Sequence, residues 1–185
     1  MNDSNQSDID VGSAAFAGEN YGEARRIFEK LVATGETQCA INLGWLYESG
    51  LGGNKDLERA ISMYELGIPS QPQLSNYYLG RALRGIGKTE RALIHLEAAA
   101  GLGHPSAAYW AHAIHSDHDR QDDAEKFLKR ASDLGHVYAK RDQARKSVAK
   151  ASSIGEWFIT SFRYYKIKAG GALLVMKNSS DPRVT

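Results

Sequence analysis

Small and apolar residues recur along this chain in a register that repeats four times, marked by Ala24, Ala60, Ala92 and Ala124. Twelve residues before three of them stand Gly12, Gly80 and His112, and sixteen before Ala60 stands Gly44. Gly35, Gly103 and Gly135 follow three of the alanines by eleven residues, and His104 and His136 trail the last two. From Ala92 to Ala124, and from Gly103 to Gly135, the step is 32 residues. A fixed period in this range is the signature of stacked repeats, each too small to bury its apolar face alone.

Each repeat reads as two helices. Leu43, Leu46 and Tyr47 form an apolar stripe at helical spacing around Gly44. Residues 50–55 (Gly-Leu-Gly-Gly-Asn-Lys) form a loop, and Asp56 is a suitable N-cap for a second helix carrying Leu57, Ala60, Ile61 and Tyr64. Glycine inside a helix costs ~1 kcal/mol against alanine, so its return at one register position predicts close backbone approach there. Ala92 is expected buried against Gly80, and Ala124 against His112.

The run Leu43-Gly44-Trp45-Leu46-Tyr47-Glu48-Ser49-Gly50-Leu51-Gly52, followed by Asp56, Ala60 and Tyr64, resembles a Sel1-like repeat. The unit from Tyr78-Leu79-Gly80 through Ala92 to Gly103-His104 is similar but has the short loop of a tetratricopeptide repeat. The unit from Trp110 to His136 departs further, with His112 at the small-residue position, and the first, with Tyr21, Ala24 and Phe28, is degenerate. The resemblance covers roughly residues 8–136 and implies an all-α, right-handed solenoid of stacked helical hairpins.

Expected boundaries are a disordered N-terminus at 1–8, a solenoid at 9–150 and a basic aromatic segment at 151–185. Within the solenoid, units fall at about 9–36, 37–71, 72–104 and 105–136, with a last helix at 137–150. Pro72 and Pro105 stand where new first helices begin, a place that suits proline. The register ends at Glu156, where an alanine is due.

Net charge is +1, but residues 1–136 carry −6 and residues 137–185 carry +7. Opposite-signed halves suggest internal docking or an anionic partner for the tail. Cys39 is the single cysteine and is expected to be a buried small residue rather than a nucleophile. Met1–Asp10 has no apolar core and no run reaches the ~20 apolar residues of a membrane span, so a cytoplasmic protein is expected.

Beyond Gly155 stand Trp157, Phe158, Ile159, Phe162, Tyr164, Tyr165 and Ile167, before Gly170-Gly171 ends the segment and a short apolar run, 172–176, follows. Residues 155–168 read as a helix capping the stack, with Phe158, Phe162 and Tyr165 laid over the helix that begins near Val137 and with Arg163, Lys166 and Lys168 in solvent. Alternatively, Trp157, Phe158, Phe162, Arg163, Lys166 and Lys168 contact a membrane surface or a partner. A strand at 172–176 stays open.

Catalytic equipment is not evident. His112, His115 and His118 are spaced by three, with Asp117 and Asp119 between them, but that spacing drifts around a helix running into a polar loop. No metal site is expected. Gly50-Leu51-Gly52-Gly53 follows a helix, not a strand, and Lys55 lacks a following Ser or Thr, so it is no phosphate loop. No nucleophile–base motif is present; no enzyme activity, cofactor or nucleic-acid partner is expected.

In the families resembled, first helices line a concave surface that holds protein or peptide segments. Carried over by register, its exposed positions are Trp45, Glu48, Tyr77, Arg81, Arg84, Tyr109, Arg141 and Arg145. Trp, Tyr and Arg dominate interface hot spots, and arginine forks take carboxylates bidentately. The expected function is therefore a scaffold or adaptor for an acidic protein or peptide segment. The alternative is a membrane-surface accessory protein recruited through residues 155–176 to a membrane-associated assembly.

Overall fold

The computed structural model describes residues 3–151 and 153–177, with side chains described from 5 to 151 and from 153 to 170. Ten α-helices account for nearly all of it: α1 (Asp3–Ala17), α2 (Tyr21–Ala33), α3 (Ala40–Ser49), α4 (Leu57–Gly67), α5 (Pro72–Gly85), α6 (Thr89–Gly101), α7 (Pro105–Asp117), α8 (Gln121–Asp133), α9 (Val137–Ala149) and α10 (Ile154–Lys177). A short 3₁₀ turn, Thr37–Cys39, leads into α3. Among the described residues there is no strand. The architecture is an all-α repeat solenoid whose helices pair as antiparallel hairpins, α1 with α2, α3 with α4, α5 with α6, and α7 with α8.

The chain divides into two compact units, Met1–His104 and Pro105–Thr185. In the first unit the core runs continuously through Phe28, Leu31, Leu43, Leu46, Tyr64, Leu79, Leu83 and Ala92. Each hairpin contributes one apolar stripe, and stacking neighbours seals it from water. The second unit buries Ala107, Ala108, Ala111, Ile114, Ala124, Phe127, Leu128 and Ala131.

The recurring small residues stand at helix crossings. A Cβ on Gly44 would lie 3.2 Å from the Ala60 carbonyl and press on the Tyr64 ring, and one on Gly80 would lie 3.0 Å from the Ala92 carbonyl and 2.7 Å from Leu96. Ala60, Ala92 and Ala124 are fully buried. At the third crossing His112 replaces the glycine, and its Nδ1–H donates to the Ala124 carbonyl at 2.9 Å.

The long α3–α4 loop is built for its contact with the preceding hairpin. Gly50 and Gly52 take the left-handed conformation (φ +74° and +72°). Any side chain at Gly52 would collide with the Tyr21 carbonyl, so only glycine fits. Arg25 then reaches the Asn54 carbonyl at 3.2 Å, and the Asp56 side chain caps α4 by accepting from the Arg59 amide at 2.9 Å.

Two terminal expectations are corrected. Residues 3–8, expected disordered, form the first turns of α1. Asn5 donates to Glu36 at 2.8 Å and Lys30 pairs with Asp8 at 2.8 Å, so tertiary contacts offset the low apolar content of this segment. Residues 1–2 and 178–185 lie outside the described residues.

At the other end α10 packs against α9, but not through the expected face. Ser161 is buried and Thr160, Tyr164 and Ile167 are half-buried, whereas Phe158, Phe162 and Tyr165 point to solvent. A small residue at the contact lets two helix backbones approach, and the bulky aromatic stripe is left outside. Gly170-Gly171 does not end the helix, and the backbone of 172–176 is helical rather than a strand.

Candidate functional site

In the first unit, α3 and α5 carry five of the predicted residues, Trp45, Glu48, Tyr77, Arg81 and Arg84, and most of them are engaged by the protein itself. Glu48 Oε2 accepts from the Tyr64 hydroxyl at 2.6 Å and from Arg81 Nη2 at 2.9 Å. The Arg81 guanidinium also lies over the Tyr78 ring, 5.1 Å from its centre. Burial works against the Arg81 charge, but Glu48 outweighs it, so the group's pKa stands above its ordinary value. Burial first, and then the Glu48 carboxylate, push the Tyr64 phenol well above the usual range. Arg81 nonetheless keeps 35 % of its side chain exposed, so a further carboxylate can reach its fork. Arg84, in the last turn of α5, is exposed.

Trp45 and Tyr77 serve packing more than an open surface. The half-buried Trp45 ring meets Phe16 at 5.4 Å and Tyr21 at 6.0 Å, joining α3 to the preceding hairpin. Tyr77 stacks on His104 with ring centres 4.0 Å apart. Burial lowers the pKa of His104, which favours the neutral ring against the phenol.

The second unit repeats this stack at the 32-residue step, with Tyr109 on His136 at 4.4 Å. The Tyr109 hydroxyl donates to Asp142 at 2.8 Å; burial and that bond push its pKa up to about 12. His136 Nδ1 in turn accepts from the Ala139 amide at 3.3 Å and caps α9. Arg141 lies over Tyr138 at 5.2 Å and 3.6 Å from Asp142, and Arg145 is exposed one turn on. Sequence reasoning missed Tyr64, Tyr78, Tyr138 and Asp142 as partners of the predicted residues. Only the shared 33-residue spacing of Glu48–Arg81 and Tyr109–Asp142, each joining one first helix to the next, could have signalled those pairings.

The histidine cluster of α7 is dispersed among three tasks. His112 binds the Ala124 carbonyl, the buried His115 stacks on Phe127 at 5.3 Å, and His118 donates to the Ile114 carbonyl at 2.8 Å. Among the described residues no group of His, Cys, Asp and Glu is placed to hold a metal ion. Cys39 is buried; that burial, and then the charge of Glu36, push its thiol up to about 11, far from a reactive thiolate.

No family model matches this sequence, and no curated protein matches it. Solved structures do. A protective antigen of uropathogenic Escherichia coli with an SLR fold superimposes with a TM-score of 0.75 at 15 % identity, over 90 % of this chain and 38 % of the antigen. A Sel1 repeat protein from Oxalobacter formigenes gives 0.72 at 18 %, over 88 % of this chain and 69 % of that one. MamA from Desulfovibrio magneticus RS-1 gives 0.61 at 17 %, over 98 % and 99 %. The fold is that of the Sel1-like and tetratricopeptide-like repeat proteins. This chain spans little more than a third of the length of the antigen it superimposes on.

Proposed function

We propose that this chain is a non-catalytic interaction scaffold whose first-helix surfaces hold an acidic protein or peptide segment. What supports the reading is a local arrangement found in both units, an arginine steadied over a tyrosine three residues earlier: Arg81 over Tyr78 and Arg141 over Tyr138. Each guanidinium is held by a ring and a neighbouring carboxylate, so less side-chain freedom is lost when a ligand carboxylate arrives. Within its own unit, Arg84 stands beside the first pair and Arg145 beside the second, each adding an exposed cation. A synthetic peptide array tests it. Acidic peptides should be retained over neutral and basic ones, and Arg84→Glu or Arg145→Glu should lower retention without changing the circular dichroism. Equal retention of all charge classes, or indifference to both variants, refutes the reading.

A second reading, a membrane-surface accessory protein recruited through residues 155–176 to a membrane-associated assembly, is favoured by one observation: the aromatic stripe of α10 faces outward.

A further inference from the structure

The second unit presents a surface that its fold does not use. Ile154, Phe158, Phe162 and Tyr165, spaced by four, four and three, lie along one side of α10 and are between 64 % and 79 % exposed. Ile159 adds to the same side. At about 100° per residue, Arg163 and Lys166 fall on one flank of this stripe and Lys168 on the other. The opposite side of the helix, with Ser161 buried and Thr160, Tyr164 and Ile167 half-buried, is spent on α9. Over residues 137–170, which include α9, eight Lys and Arg face two Asp and Glu, a net charge of +6.

We infer that α10 lies in the interface of an anionic lipid surface, with Phe158, Phe162 and Tyr165 entering the headgroup–acyl boundary and Arg163, Lys166 and Lys168 reaching lipid phosphates and carboxylates. This rests on the second reading above and names its site and lipid chemistry. Three observations select this occupant. The stripe is a ridge of protruding side chains, which a fluid interface wraps without needing a matching groove. Its composition, large aromatic groups flanked by long cationic stems, is that of helices lying in a membrane plane, where the stems snorkel to the headgroups. Its charge is complementary to anionic lipid and opposes its own kind: a symmetric dimer through the stripe would bring two strongly positive surfaces together. The helix lies on the membrane rather than in it, since among the described residues no helix is long and apolar enough to cross one.

The test is co-sedimentation of the full chain with vesicles of phosphatidylcholine alone and of phosphatidylcholine mixed with phosphatidylserine. Binding should require phosphatidylserine and fall with added salt. Phe158→Ser/Phe162→Ser/Tyr165→Ser should weaken partitioning at least about tenfold with an unchanged melting temperature, the three side chains being exposed. Arg163→Gln/Lys166→Gln should weaken it about fivefold for each charge removed. Anionic binding that survives the aromatic triple variant overturns the assignment to α10 while leaving membrane recruitment standing. No binding to either vesicle overturns both. A wild-type dimer by light scattering that the triple variant converts to monomer, without vesicle binding, makes the occupant a second copy and likewise overturns the inference.

Discussion

His112 donates from Nδ1 to the carbonyl of Ala124 at 2.9 Å, across the crossing of α7 and α8 where α3–α4 and α5–α6 place a glycine against an alanine. A side chain stands where Gly44 and Gly80 let the facing helix come close, and a hydrogen bond to a helix carbonyl accompanies it. The bond requires the neutral ring or the imidazolium to carry its proton on Nδ1. Burial lowers the pKa of His112, opposed in part by the Ala124 carbonyl.

Replacing His112 by glycine should therefore not restore a normal crossing. It leaves a void and removes the imidazole's hydrogen bond to the Ala124 carbonyl, and the expected loss is roughly 1–3 kcal/mol in denaturant unfolding. No loss would mean that the helices close up as they do around Gly80.

Stability should fall on mild acidification. His95, His104 and His112 all have pKa values below the ordinary 6.5, with burial the first cause in each. Below about pH 6.5 the unfolded chain binds protons that the folded chain resists, so stability rises with pH across that window. Thermal melts from about pH 7.5 to about pH 5.5 should show a falling Tm, and His112→Gly should reduce the slope. A Tm that rises on acidification contradicts these shifts.

Overpacking the crossings should cost more than changing their surroundings. Ala92→Leu, at a fully buried position facing Gly80, should lose about 1–3 kcal/mol. Ile94→Leu on the same helix, largely exposed, should stay within about 0.5 kcal/mol. Equal effects at the two positions would show that Ala92 is not at a tight contact.

Two glycines with similar backbone angles separate strain from crowding. Gly52 and Gly87 both have positive φ, +72° and +76°. Nothing stands within 4 Å of a Cβ on Gly87, whereas one on Gly52 strikes the Tyr21 backbone. Gly87→Ala should cost about 1 kcal/mol and Gly52→Ala appreciably more, at least about 2 kcal/mol, by urea unfolding. The reverse order would show that the loop can retreat from α2.

On α10, adjacent residues should respond oppositely. Ser161→Leu enlarges the buried contact with α9 and should cost about 1–3 kcal/mol, while Phe162→Ser removes an exposed ring and should change stability by less than about 0.5 kcal/mol. A large loss from Phe162→Ser would restore the cap in its expected orientation.

The helices, their caps and their crossings were legible in the sequence because they depend on neighbours three or four residues away and on a partner at a repeated distance. Asp56, Gly44, Gly80, Ala92 and Pro72 each carry a local signature of that kind. The surface was less legible. Glu48 and Arg81 look like two separate charges on two first helices, and only stacking brings them to 2.9 Å around Tyr64. Trp45, Tyr77 and Tyr109 look like ligand contacts and are largely taken up by Phe16, His104 and His136.

By itself the sequence determined an all-α repeat and a charged, aromatic end, since periodicity and turn residues act within a few residues of chain. Only the tertiary structure decided how α10 is rotated about its axis. Two stripes of that helix could have faced α9, and helical spacing alone does not choose between them. The stripe with Ser161 packs because small side chains let the helices approach, and the stripe with Phe162 is left to meet something else.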